Sequence, residues 1–188
     1  QSPADLVADL YAVTGDILHK KGEEQEAFAA YDSCLQWKDD NVMALNNYAY
    51  YLSEKGVDLH KAESMSYKTI KAEPNNGTYL DTYAWILFME ERYADAKIYI
   101  DQALKNRDST ADNSTVIEHA GDIYYMNGMA DESVDFWKKA YTGENQTEVL
   151  AWKIKNRQYI TEEELKKRNA PKQKPAATQK SVRKGKKK

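Results

Sequence analysis

The stretch GTYLDTYAWILFMEERYADAKIYIDQAL, Gly77–Leu104, decides the fold. In its first half Leu80 stands four residues before Ala84 and Leu87 three after it, so the three share one face of a helix. Its second half carries a second apolar stripe at Ala96, Ile100 and Ala103. A small residue at the centre of each stripe lets two backbones approach closely while larger neighbours fill the gaps. The stretch therefore reads as two antiparallel helices.

The arrangement recurs along the chain. The first small position appears as Gly15, Ala49, Ala84 and Gly121, at spacings of 34, 35 and 37 residues. The second appears as Ala27, Ala62, Ala96 and Ser133, at spacings of 35, 34 and 37. Around the first series stand Tyr11 and Leu18, Leu45 and Leu52, Leu80 and Leu87, Ile117 and Tyr124. One such unit cannot bury its own apolar face, but a stack of three or more can.

The pattern resembles the tetratricopeptide repeat, a 34-residue helix–turn–helix. The matching residues are Leu45, Tyr48, Ala49, Leu52, Ala62 and Pro74 in the second unit, and Leu80, Tyr83, Ala84, Leu87, Ala96 and Ile100 in the third. Tyr11, Gly15, Leu18, Ala27 and Tyr31 match in the first, and Ile117, Gly121, Tyr124, Ser133 and Trp137 in the fourth. The departures are the absent opening Trp, Ser66 in place of the late aromatic, and the closing proline of the repeat in the second unit alone, as Pro74. The resemblance implies an all-α, right-handed superhelical solenoid. Four repeats are expected at about 3–40, 41–76, 77–112 and 113–145. A carboxyl-terminal covering helix with a short extension is expected at 146–169, and a disordered basic tail at 170–188. The many Tyr and Asn residues also resemble those of bacterial repeat proteins, some of them exported.

Helix starts are written into the boundaries. Ser2-Pro3-Ala4-Asp5 and Thr161-Glu162-Glu163-Glu164 read as capping boxes, and Thr78 with Asp81 reads the same way. Asn41, Asp58 and Asp112-Asn113-Ser114 supply further cap and turn residues. The first unit has no helix before it, which suggests a longer array or pairing at that end.

Composition bounds the rest. The chain has 188 residues, with 8 Gly, 4 Pro, one Cys and a formal charge of −3. That charge is a cancellation. From Pro171 onward stand eight Lys or Arg and no acid, which leaves 19 basic against 30 acidic residues in the body. Such a tail is too polar and charged to bury an apolar core. No apolar run approaches the roughly 20 residues that span a bilayer, and both a cytoplasmic and an exported, periplasmic location remain open. Cys34 admits no internal disulfide.

By analogy with the repeat family, the first helices line a concave groove. The residues expected there are Asn46, Asn47, Tyr50, Asp81, Trp85, Phe88, Met89, Glu118, His119, Asp122 and Tyr125, with Asp9, Asp16 and His19 from the first unit. Asn46 and Asn47 would contact a peptide backbone, and Tyr50, Trp85 and Tyr125 would anchor side chains. Trp85, Phe88 and Tyr125 are equally open to a second reading, as packing between units. Where one subgroup of the family holds a chaperone carboxylate with Lys, Asn and Arg, this chain has Ala12, Asp16, Asn47, Thr78 and Thr82, so only Asn47 fits. An acidic groove favours a neutral or basic protein or peptide.

Catalytic signatures are not found. The sequence has no Gly-rich phosphate loop, paired-cysteine spacing or nucleophile elbow. His119 with Asp122, and Asp16 with His19, lack a third ligand, so neither a metal nor another cofactor is expected. The expectation is a non-enzymatic interaction scaffold. The rivals are a structural segment of a larger or self-associating assembly, and a tail-mediated tether to an anionic surface. A membrane is expected to act only through the tail. Without aromatics among the tail's charges, nucleic acid is not indicated.

Overall fold

The computed structural model describes residues 2–170. Ten α-helices and one short 3-10 turn, Gly143–Asn145, make up the described residues. Eight of them form four antiparallel pairs: α1 (Pro3–Lys20) with α2 (Glu24–Trp37), α3 (Val42–Lys55) with α4 (Leu59–Ala72), α5 (Gly77–Met89) with α6 (Tyr93–Asn106), and α7 (Ser114–Met126) with α8 (Ala130–Ala140). Successive pairs stack through α2–α3, α4–α5 and α6–α7, and the first helices also touch one another as α1–α3, α3–α5 and α5–α7. Two shorter helices follow, α9 (Glu148–Asn156) and α10 (Glu162–Asn169). The basic tail read from the sequence lies outside the described residues.

The small positions are where the helices of a pair meet. Ala49, Ala84, Ala27, Ala62, Ala96 and Ser133 are fully buried. Gly15 and Gly121 face aromatic rings: a Cβ on Gly15 would lie 2.7 Å from Tyr31 Cε1, and one on Gly121 would lie 2.5 Å from Trp137 Nε1. In the third pair the residue sixteen after the small position is Ile100, and there Ala84 suffices. The choice between Gly and Ala thus follows the size of the residue opposite. The aromatic pairs carry a polar tie as well. The Tyr31 hydroxyl donates to Asp16, and Trp137 Nε1 donates to Asp122 Oδ1 at 2.9 Å.

Helix starts follow side-chain chemistry at most boundaries. Ser2 and Thr161 form complete capping boxes with Asp5 and Glu164. Asn41 and Asn76 accept from the first-turn amides of α3 and α5. Thr78 and Asp81 therefore do not form the box read from the sequence: Asn76 already caps α5, and Asp81 is buried one turn further on. Asp58 stands at the start of α4, but its side chain caps nothing.

The core runs along the stack in three clusters. Tyr31, Cys34, Leu45, Tyr48, Leu52 and Met65 fill the first two pairs, and Leu80, Leu87, Phe88, Ile100 and Ile123 fill the next two. Val134, Trp137, Ala140 and Leu150 join α8 to α9. Burial pushes the Cys34 thiol up, away from its reactive form.

Candidate functional site

The first helices of the second, third and fourth pairs deliver Tyr50, Trp85, Met89, Glu118, His119 and Asp122 to one cavity of about 810 Å³. Its opposite wall is the chain's own carboxyl-terminal segment, including Val149, Lys153, Tyr159, Ile160, Leu165 and Ala170. This segment does more than cover the fourth pair. α9 packs on α8, while Tyr159, Ile160 and α10 line the cavity across from α3 and α5.

Lys153 fixes the segment in place. It is 3% exposed, and its Nζ lies 2.7 and 2.9 Å from the two oxygens of Asp122 and 3.1 Å from Glu118 Oε1. Its ammonium also sits over the rings of Trp137 and Tyr159. A buried charge left unpaired is costly, so these carboxylates and the lysine are interdependent. Burial pushes Asp122 above the ordinary carboxylate range, outweighing the opposing pull of Lys153 and the Trp137 indole.

The cavity floor is a ring stack. His119 lies 4.0 Å from Trp85, and Trp85 lies 4.7 Å from Phe88, with both pairs nearly parallel. Tyr159 meets Phe88 edge-on at 5.7 Å. His119 Nδ1 is 2.9 Å from Asp81 Oδ1, so the imidazole is held in orientation from beneath. Burial acts to lower its pKa, but the Asp81 charge and hydrogen bond outweigh this, and the pKa rises. Trp85 Nε1 is buried and has no acceptor among the described residues.

The eleven residues expected in the groove thus divide. Tyr50, Trp85, Met89, Glu118, His119 and Asp122 share the cavity. Tyr125 packs beside Trp137, and Phe88 is buried behind Trp85. Asp81 is buried on His119. Of the two asparagines, Asn47 Nδ2 donates to Asp16 Oδ1 at 3.0 Å, and Asn46 is buried with its amide 3.3 Å from Asn47 Oδ1. The Asn47 amide thus ties the second pair to the first, while the Asn46 amide stays within α3.

The sequence reading missed Lys153, Tyr159, Ile160 and Leu165. One signal for the first was present. Asp16 reaches Asn47 across 31 residues, and Asp122 reaches Lys153 across the same 31. Running the repeat one unit past Gly121 puts Lys153 where Asn47 stands, so α9 takes the place of a fifth first helix.

Comparison with known proteins agrees with this architecture. No family model matches the sequence. A tetratricopeptide-repeat-containing protein of Pseudomonas aeruginosa is 35% identical over 66 residues, which is 35% of this chain and 11% of that protein. The matched segment thus spans about a tenth of the relative's length. Among solved structures, Pseudomonas aeruginosa pilF superposes with a TM-score of 0.69 at 16% identity, over 83% of this chain and 69% of that one. YrrB, described as a tetratricopeptide-repeat protein with an unusual peptide-binding site, gives a TM-score of 0.55 at 18% identity, over 78% and 74% of the two chains. The helix pairs, their spacing and these likenesses agree: the chain has the all-helical, paired-helix fold of tetratricopeptide-repeat proteins.

Proposed function

We propose that the protein is a non-catalytic interaction module that takes an extended segment of a protein partner into the cavity between α3, α5, α7 and the α9–α10 segment. The observation that carries this reading is the cavity itself. Its volume lies within the roughly 300–1,000 Å³ of sites that enclose a ligand, and Tyr50, Trp85 and Met89 supply an apolar wall. Five carboxylates, Glu54, Glu118, Asp122, Glu148 and Glu162, face two ammonium groups, Lys153 and Lys166. The excess of negative charge favours a neutral or basic segment. A photo-cross-linking residue at Met89 is expected to give a discrete adduct in native extract, and the same residue at exposed Ile98 on α6 is not. Adducts from Ile98 alone would overturn the assignment.

One observation favours a second reading, in which copies associate through α1. Leu6, Leu10, Val13 and Ile17 form an exposed apolar stripe along this helix. α3, α5 and α7 turn part of their surface to a preceding helix, whereas nothing among the described residues covers the α1 stripe. A helix face of about 27 Å by 10 Å buries well under the roughly 1,200 Å² of a stable interface. The association would therefore be weak. Sedimentation showing a mass that rises with concentration and falls with Leu10→Glu supports it, and a monomer throughout refutes it.

A further inference from the structure

We infer that the cavity is occupied in the resting protein by the chain's own basic segment, residues 171–188, and that a partner must compete with it. The inference rests on the reading of the cavity as a binding surface. The described chain ends at Ala170, which is itself part of the cavity wall. The next residues, Pro171-Lys172-Gln173-Lys174-Pro175, thus start at the cavity and need no long excursion to enter it. They and the thirteen residues beyond them carry eight positive charges and no negative one.

The wall they would meet is charged to match. Lys153 is satisfied by Asp122 and Glu118, and Lys166 pairs with Glu162. Glu54 accepts from the Tyr50 hydroxyl, and Glu148 accepts from the Asn169 amide. Those last two carboxylates have no cationic partner among the described residues. They stand on opposite walls, one on α3 and the other on α9, so a lysine-bearing strand between them meets both. Tyr50 adds an aromatic ring that attracts an ammonium group.

Tethering makes even a weak contact count. A segment joined directly to its site has an effective concentration on the order of 1 mM. A contact of about 100 µM in free solution would then be occupied about ten to one.

The test uses full-length protein and, as probe, a fluorescent peptide copy of residues 171–188. It compares the natural chain with a full-length variant whose eight tail bases are replaced by Gln. The variant is expected to bind the probe with a Kd about tenfold lower than the natural chain, because its cavity is vacated. Adding Glu54→Lys and Glu148→Lys to the variant is expected to remove that binding, with circular dichroism confirming the fold. Equal affinity in the natural chain and the tail variant would overturn the inference. So would a salt-sensitive dimer of the natural chain, which would place the segment in another copy. If the tail variant ignores the probe but binds other peptides through the cavity, the inference fails and the binding reading stands. If it binds no peptide, both fail.

Discussion

Replacing Gly121 with Ala is expected to destabilise the fourth helix pair, although Ala is the better helix former. Propensity alone favours Ala by about 1 kcal/mol. Against it stands the geometry: the new methyl would lie 2.5 Å from Trp137 Nε1, and the ring is fully buried and cannot swing into solvent. Overpacking of this kind costs about 1–3 kcal/mol. A ring that shifts also gives up its 2.9 Å hydrogen bond to Asp122, and a hydrogen bond to a charged group contributes about 1.5–3 kcal/mol. The net expectation is a loss of about 2–4 kcal/mol, and at about 2–4 °C per kcal/mol for a chain of this length a fall in Tm of about 5–15 °C. Urea titration followed by far-ultraviolet circular dichroism and by Trp fluorescence reads the change. In a repeat array the fourth pair is expected to respond before the first. Gly121→Ala combined with Trp137→Ile mimics the Ala84–Ile100 pairing of the third helix pair, and is expected to cost less than the two single changes added together, by at least about 1 kcal/mol. A Gly121→Ala protein as stable as the natural one would refute the close-approach account.

Three further outcomes follow from the same geometry. The raised pKa of His119 means that its ion pair with Asp81 is fully present below about 6.5 and is lost as pH rises through the higher folded value. Asp81→Asn should therefore cost more stability at pH 6 than at pH 9, measured by urea midpoints, and a pH-independent cost would contradict the pairing. Lys153→Met leaves Asp122 buried without its cation and is expected to cost about 3 kcal/mol. Adding Asp122→Asn should recover part of that loss, and no recovery would refute the interdependence. Glu91 has a φ of 61°, where the turns after α1 and α7 place Gly22 and Gly128. Glu91→Gly is expected to raise stability by about 0.5–1 kcal/mol, and a lower thermal midpoint would count against backbone strain there.

The sequence displayed the repeat because stacking leaves a periodic trace: a small residue every 34–37 positions and apolar neighbours at helical offsets. It displayed helix starts where the cap is local, as at Ser2 and Thr161. It misled at Thr78 and Asp81. The same Ser/Thr-x-x-acid spacing occurs inside a helix, and there Asp81 serves a histidine 38 residues away. Pairings of that range leave no local pattern. The groove residues were legible as positions on the first helices, but not as free or engaged. The sequence places Asn47 in the groove, and in the fold its amide donates to Asp16 of the preceding pair. The far wall of the cavity was the least legible part. α10 is short and highly charged, and only Leu165 is buried within it. Its place depends on Lys153, Tyr159 and Ile160 rather than on a periodic face of its own.

We propose the cavity between the first helices and α9–α10 as the surface that binds a partner. Selection from a displayed library of random twelve-residue peptides against the full-length protein tests it most directly, with the selected peptides measured on Glu54→Lys/Met89→Lys and on Ile98→Lys. Peptides rich in Lys or Arg with apolar neighbours are expected, tenfold or more weaker on the cavity variant and unchanged on Ile98→Lys. Peptides that bind the cavity variant undiminished, or that are lost only with Ile98→Lys, would contradict it.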